Sequence, residues 1–157
     1  MIARTRLDSD RLAATNPWLL AGGCLSLGAA VLHVLIVVGG PDWYRFFGAG
    51  EQMAMADQRG NWWPALITFA IAALLTVAAL YAFAGAGLTR RLPLMRLALV
   101  TISAIYLLRA FGFPIMALQA NGISQFNMWS SSIILVFGVA YALGTWNAWT
   151  DLTKGRQ

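Results

Sequence analysis

The sequence predicts an all-α polytopic membrane protein, a bundle of four transmembrane helices, on three observations. Of its 157 residues, 59% are hydrophobic and 11% charged, against roughly 45–50% and 25% in soluble domains. Four apolar runs are each long enough to cross a bilayer, which takes about 20 residues. Lys and Arg gather outside these runs, mostly on one side. A soluble chain of this size has too little interior to hide so much apolar side chain. A bilayer removes the need to hide it.

Residues 1–16 are polar and carry Arg4, Arg6 and Arg11, which reads as a short cytoplasmic tail. The first apolar run, about residues 17–40, exceeds the roughly 7–15 residues of a signal-peptide core, so a retained helix is expected. Along it Gly22, Ser26 and Ala30 recur every four residues and lead to His33, a spacing that lets membrane helices approach closely. The one cysteine, Cys24, permits no intrachain disulfide and no Cys-based metal site. It is expected to be a small buried hydrophobe.

Residues 41–61 form the longest connection. Its aromatics Trp43, Tyr44, Phe46 and Phe47 suit the headgroup region, so an amphipathic loop on the outer membrane surface is expected. After the break Gly48-Ala49-Gly50, residues Glu51 to Gln58 have the length of two helical turns. The glycines do not make a nucleotide loop: no strand precedes them and the third glycine is missing.

The second run spans about residues 62–88, with Asn61 as expected N-cap, Pro64 in the first turn and Trp62 and Trp63 as anchors. The third, about 93–118, follows the basic turn Arg90-Arg91, with Arg96 just inside it. The fourth, about 127–149, finishes in the interfacial pair Trp146 and Trp149. The whole chain, 1–157, reads as one membrane domain. Lys154 and Arg156 join the basic residues of the N-terminus and the 90–91 turn, whereas the other side has only Arg45 and Arg59. By the positive-inside rule both termini face the cytoplasm. The compact chain and this bias suggest a bacterial inner membrane.

Function must come from the polar residues inside the runs. Arg109 stands in an otherwise apolar segment, at an insertion cost on the order of 2.5–3.5 kcal/mol; such groups usually face an interior or a wet cavity. Ser103, Tyr106 and Arg109 recur every three residues, a polar ribbon on one side of the helix. Pro114 cannot donate to the Ala110 carbonyl, which leaves an acceptor near the arginine and favours a kink. His33 and Arg109 each lie roughly 24 Å along their helices by the 1.5 Å rise, the equal depth a shared site would need. The candidate ligand-binding residues are therefore His33, Glu51, Tyr106 and Arg109. Against this, Arg109 could snorkel to the headgroups and His33 could be an ordinary interior histidine.

Three functions fit these residues. The first is binding of an amphipathic or anionic small molecule or lipid in an outward-facing pocket around His33 and Arg109. The second is a structural accessory subunit, within a homo-oligomer or a larger membrane complex. The third is a membrane enzyme on a lipophilic substrate, with His33 as acid or base, Arg109 stabilising an anion and Glu51 orienting the imidazole. No catalytic motif identifies an enzyme. Neither a cofactor nor a nucleic-acid partner is indicated: a single histidine excludes bis-histidine haem within one subunit. Asp42, Glu51 and Asp57 have no diagnostic zinc spacing with His33.

Overall fold

A computed structural model describes residues 15–119, 125–150 and 152. The terminal tails with Arg4, Arg6, Arg11, Lys154 and Arg156, and the short connection 120–124, lie outside the described residues. The described chain is helical, without strands: α1 (Pro17–Gly39), α2 (Pro41–Phe46), α3 (Glu51–Gln58), α4 (Trp63–Gly85), α5 (Met95–Gln119) and α6 (Gln125–Asn147). Helices α1, α4, α5 and α6 are long and apolar enough to cross a membrane. The protein is a multi-pass membrane protein and its fold is a four-helix membrane bundle.

The long helices form a ring. Helix α1 packs most extensively against α4, α5 against α6, and α6 closes back on α1, with a lighter α4–α5 contact. Helices α1 and α5 therefore run parallel on a diagonal. Where neighbours meet, glycine faces a large side chain: Gly22 lies under the Tyr141 ring, Gly23 under Phe83, and Gly138 against Leu107. The expected Gly22, Ser26 and Ala30 stripe is buried along its length. Outward positions are large and apolar, such as Leu74 at 70% and Leu108 at 71% exposure, and face lipid in a bilayer. Cys24 belongs to this surface, not to the interior expected of it; bilayer burial and bundle burial look alike in a run of apolar letters.

Helix ends shift from the sequence reading for local reasons. Asn16 caps α1, its Oδ1 accepting from the amides of Trp18 and Leu19. Helix α4 stops at Gly85, short of Leu88, because Gly87 takes a φ of 86°. The Leu88 amide then donates to the Phe83 carbonyl and the Gly87 amide to Ala84, the six-to-one and five-to-two bonds of a Schellman end. At the other end of α4 the cap residue is Trp62, with no side-chain cap, in place of the expected Asn61. Helix α5 starts at Met95, since Leu94 has a φ of 55°.

The 41–61 connection folds back over the bundle as α2 and α3. Helix α3 covers the two turns expected of Glu51–Gln58, whereas the short α2 was not legible. Tyr44 and Ala54, both fully buried, pack with Ile36 into a small core of their own. Tyr44 is further tied to α4, its hydroxyl lying 3.4 Å from Thr68 Oγ1.

Candidate functional site

Three hydroxyls meet inside the bundle. Ser26 Oγ on α1 lies 2.9 Å from the Tyr106 hydroxyl of α5 and 2.9 Å from the Tyr141 hydroxyl of α6. All three residues are buried. The Tyr106 ring meets Phe137 edge-on at 5.4 Å and Tyr141 at 5.3 Å. Serine is small enough for two tyrosines to converge on it, and Gly22, one turn below, leaves room for the Tyr141 ring. The bond to Tyr106 spans the α1–α5 diagonal. Thus Tyr106, named as a ligand residue from the sequence, has its hydroxyl engaged inside the bundle.

This contact also registers α1 against α5. Arg109 follows Tyr106 by about one turn and His33 follows Ser26 by about two, so His33 stands roughly 6 Å nearer the loop end than Arg109. The equal depth expected from helix starts becomes an offset of about one turn. Arg109 is half-buried, between buried Tyr106 and buried Ala110, while Leu108 and Phe111 beside it point outward. Ser103, the lower member of the ribbon, is buried and donates to the Leu99 carbonyl at 2.7 Å. The ribbon faces inward.

His33 is also half-buried. Its Nδ1 lies 2.8 Å from the Ala29 carbonyl. A carbonyl only accepts, so Nδ1 carries the proton and Nε2 of the neutral ring is an acceptor. A third polar residue, missed from the sequence, lies on α6: the buried Ser131 Oγ has no hydrogen-bond partner. Leu19 faces Gly144 and Gly22 faces Tyr141; continuing that antiparallel register brings Ser131 level with Leu32 and His33. Ser131 is the middle of the run Ser130-Ser131-Ser132, and three consecutive serines point to different sides of a helix, so the run by itself does not say which one turns inward.

Glu51 lies elsewhere. Its carboxylate accepts from Arg45 Nε and Nη2 at 3.0–3.2 Å. Arg45 also donates to Asp42 at 3.0 Å and to Gln58 at 3.3 Å. The hydrogen bond from Arg45 holds the Glu51 carboxyl below the usual carboxylate range. So Glu51 braces the surface connection. Among the described residues no group of three His, Cys, Asp or Glu side chains comes together.

At the terminal end Arg96 donates to the Trp149 carbonyl at 2.7 Å and stacks over the Trp149 ring at 4.4 Å, and Asn16 Nδ2 donates to the Gly144 carbonyl at 2.7 Å. These bonds tie the helix ends together. Comparison of the chain with protein-family models, with curated proteins and with solved structures finds no match.

Proposed function

We propose that this membrane protein binds a lipophilic molecule or lipid with an anionic or polarised head, held in the loop-end half of the bundle. Arg109 would grip the head, His33 Nε2 would accept from it, and Tyr106 would form the floor. Glu51 would contribute by bracing the surface segment above. One observation carries this reading: an arginine deep in an apolar helix, half-buried on the inward side of α5 beside Tyr106 and Ala110. A charge held there at a cost of a few kcal/mol calls for a purpose. The distribution of Lys and Arg further supports termini in the cytoplasm, which makes the loop end outward-facing, and a bacterial inner membrane as the location.

The test compares Arg109→Lys and Arg109→Leu with wild type for thermal stability in detergent and for ligand or lipid retained on purification. Lysine keeps the charge but loses the planar two-pronged grip, so retention should fall while the fold persists. Leucine should abolish retention without loss of stability. Full retention in Arg109→Leu would refute the site.

The accessory-subunit reading has one observation in its favour. Ala21, Cys24 and Gly28 are small and exposed along one side of α1, and a Cβ at Gly28 would meet nothing within 4 Å. Small outward residues allow another helix to approach. Native mass spectrometry from gentle detergent separates the two readings, since it reports bound lipid and subunit number together.

A further inference from the structure

The seams of the ring are unequal. Helix α4 packs closely on α1 and only lightly on α5. At the terminal end the two do touch: a Cβ on Gly85 would stand 3.1 Å from Leu99 and 3.5 Å from Met95, and the Tyr81 hydroxyl donates to the Pro93 carbonyl at 3.2 Å. Gly85, Ala78, Leu74, Ile71 and Ile67 follow one side of α4 by the helical period. Ala78 on that line is 6% exposed, whereas Leu74, Ile71 and Ile67 are 70%, 40% and 44% exposed. One side of α4 is thus covered near the turn and bare toward the loop end. The two helices part there and leave an apolar cleft open to lipid.

Arg109 stands on the α5 wall of this cleft. Met95, Ile102 and Arg109 are spaced by seven, so they share a side of α5 to within about 20° per step. Met95 reaches toward Gly85 of α4, while Leu107, on another side of α5, meets Gly138 of α6. Counting back along α4 from Gly85, which lies opposite Leu99 and Met95, brings Arg109 level with about residues 71–75. Ile71 and Leu74 therefore form the facing wall. From the aqueous side, by contrast, the loop end is roofed. Helix α2 packs on α1 and α3 on α4, with Tyr44 and Ala54 fully buried on their undersides. Between them Gly48 lies against the Phe126 ring of α6.

We infer, resting on the arginine site proposed above, that its ligand is a long-chain carboxylic acid that enters sideways from the bilayer. The carboxylate meets Arg109, and the chain leaves through the α4–α5 cleft across Ile71 and Leu74. A site roofed from water and open to lipid admits what dissolves in the bilayer. Depth then selects the head. Arg109 lies ten residues before the end of α5 at Gln119, roughly 15 Å along the helix, within a hydrocarbon layer about 30 Å thick. A phospholipid head, bulky and strongly hydrated, stays at the interface. A bare carboxylate is small enough to reach that depth, and it pairs with a guanidinium through two parallel bonds. The guanidinium has five N–H donors, so bonds to the protein leave others for it.

The experiment takes the full chain, delipidated in gentle detergent, adds oleate, phosphatidylglycerol or acetate, and reads the bound mass by native mass spectrometry. Wild type should retain oleate above phosphatidylglycerol, and excess acetate, the same head without the chain, should not displace it. Ile71→Trp fills the cleft from the α4 side and should lower oleate retention about tenfold, what the loss of roughly two buried methylenes amounts to. Val136→Trp puts the same ring at an exposed position of α6, level with Arg109, and should change retention by less than about twofold. Should Ile71→Trp fail to fold, Leu74→Trp narrows the same cleft from a more exposed position. Oleate lost in Arg109→Leu but kept in Ile71→Trp would overturn the cleft and leave the arginine site standing. Oleate kept in Arg109→Leu but lost in Ile71→Trp would overturn the arginine site and leave the chain its seat in the cleft. Preference for phosphatidylglycerol, displacement by acetate, or no retained oleate in wild type would each overturn the ligand.

Discussion

At the centre of the bundle two tyrosine hydroxyls meet Ser26 at 2.9 Å; at the loop surface Arg45 gathers Asp42, Glu51 and Gln58 at 3.0–3.3 Å. The bond lengths are similar and the surface cluster has the more bonds and the formal charges. Yet the central cluster holds three helices, including the diagonal α1–α5 pair, and the surface cluster braces one connection. The difference is the alternative open to each group. Water replaces a broken surface bond at little cost, whereas a tyrosine hydroxyl inside the bundle has nothing else to turn to. Burial, not charge, sets the worth of these bonds.

Four substitutions would sharpen or break that comparison, beginning with the packing that lets the central cluster form. A Cβ on Gly144 would stand 2.6 Å from Leu19 Cγ and 2.9 Å from the Leu19 backbone nitrogen. Gly144→Val should therefore part α1 from α6 and cost about 3 kcal/mol, as overpacking against backbone does. Thermal unfolding in detergent measures it, with Gly28→Ala as a neutral control.

Ser26→Ala strands two buried phenols and should cost about 2 kcal/mol, toward the upper end for hydrogen bonds inside membranes. Adding Tyr106→Phe and Tyr141→Phe removes the stranded groups and should restore most of the loss. If the triple variant stays as unstable as Ser26→Ala alone, the cluster matters through ring packing and the comparison fails.

Tyr44→Phe comes next. It deletes only the long contact with Thr68, whose hydroxyl also donates to the Pro64 carbonyl at 2.8 Å. Stability should fall by less than about 1 kcal/mol, and faster hydrogen exchange should be confined to α2 and α3.

Arg45→Gln should have the smallest effect on the fold, visible in protection of α3 and erased by high salt. Glu51 is held below its ordinary carboxylate range by Arg45. Its contribution is complete above that ordinary range and is lost as pH falls through the depressed value. Exchange of the Glu51–Gln58 amides should thus quicken on acidification in wild type and lose that dependence in Arg45→Gln. A large drop in global stability would contradict the ranking.

How much could be read in advance varied with the physics of each feature. The spans were legible because a bilayer imposes a length and a composition on every crossing segment. The Gly22, Ser26 and Ala30 stripe was legible because helical spacing puts those residues on one face. Glu51 and Cys24 were not placed correctly by the same reasoning: one found an arginine six positions away, the other faces lipid. Tyr141 is not singled out by the sequence, yet it is central to the core, while Tyr81 reaches the Pro93 carbonyl at the surface.

The sequence by itself determined class, span number and the placing of Ser103, Tyr106 and Arg109 on one side of their helix, since these follow from hydropathy and from a period along one chain; that this side faces inward was decided by the packing. The tertiary structure decided which residues meet across the bundle. Ser26 joins Tyr106 and Tyr141 from positions far apart in the chain, and His33 is offset from Arg109 by the register of that contact. A cavity at the terminal helix ends is lined from three separate stretches of chain, at Asn16, between Ala84 and Arg91, and at Asn147, Ala148 and Leu152. Such meetings depend on how tightly helices approach, and that is set where a glycine on one helix receives a side chain from another.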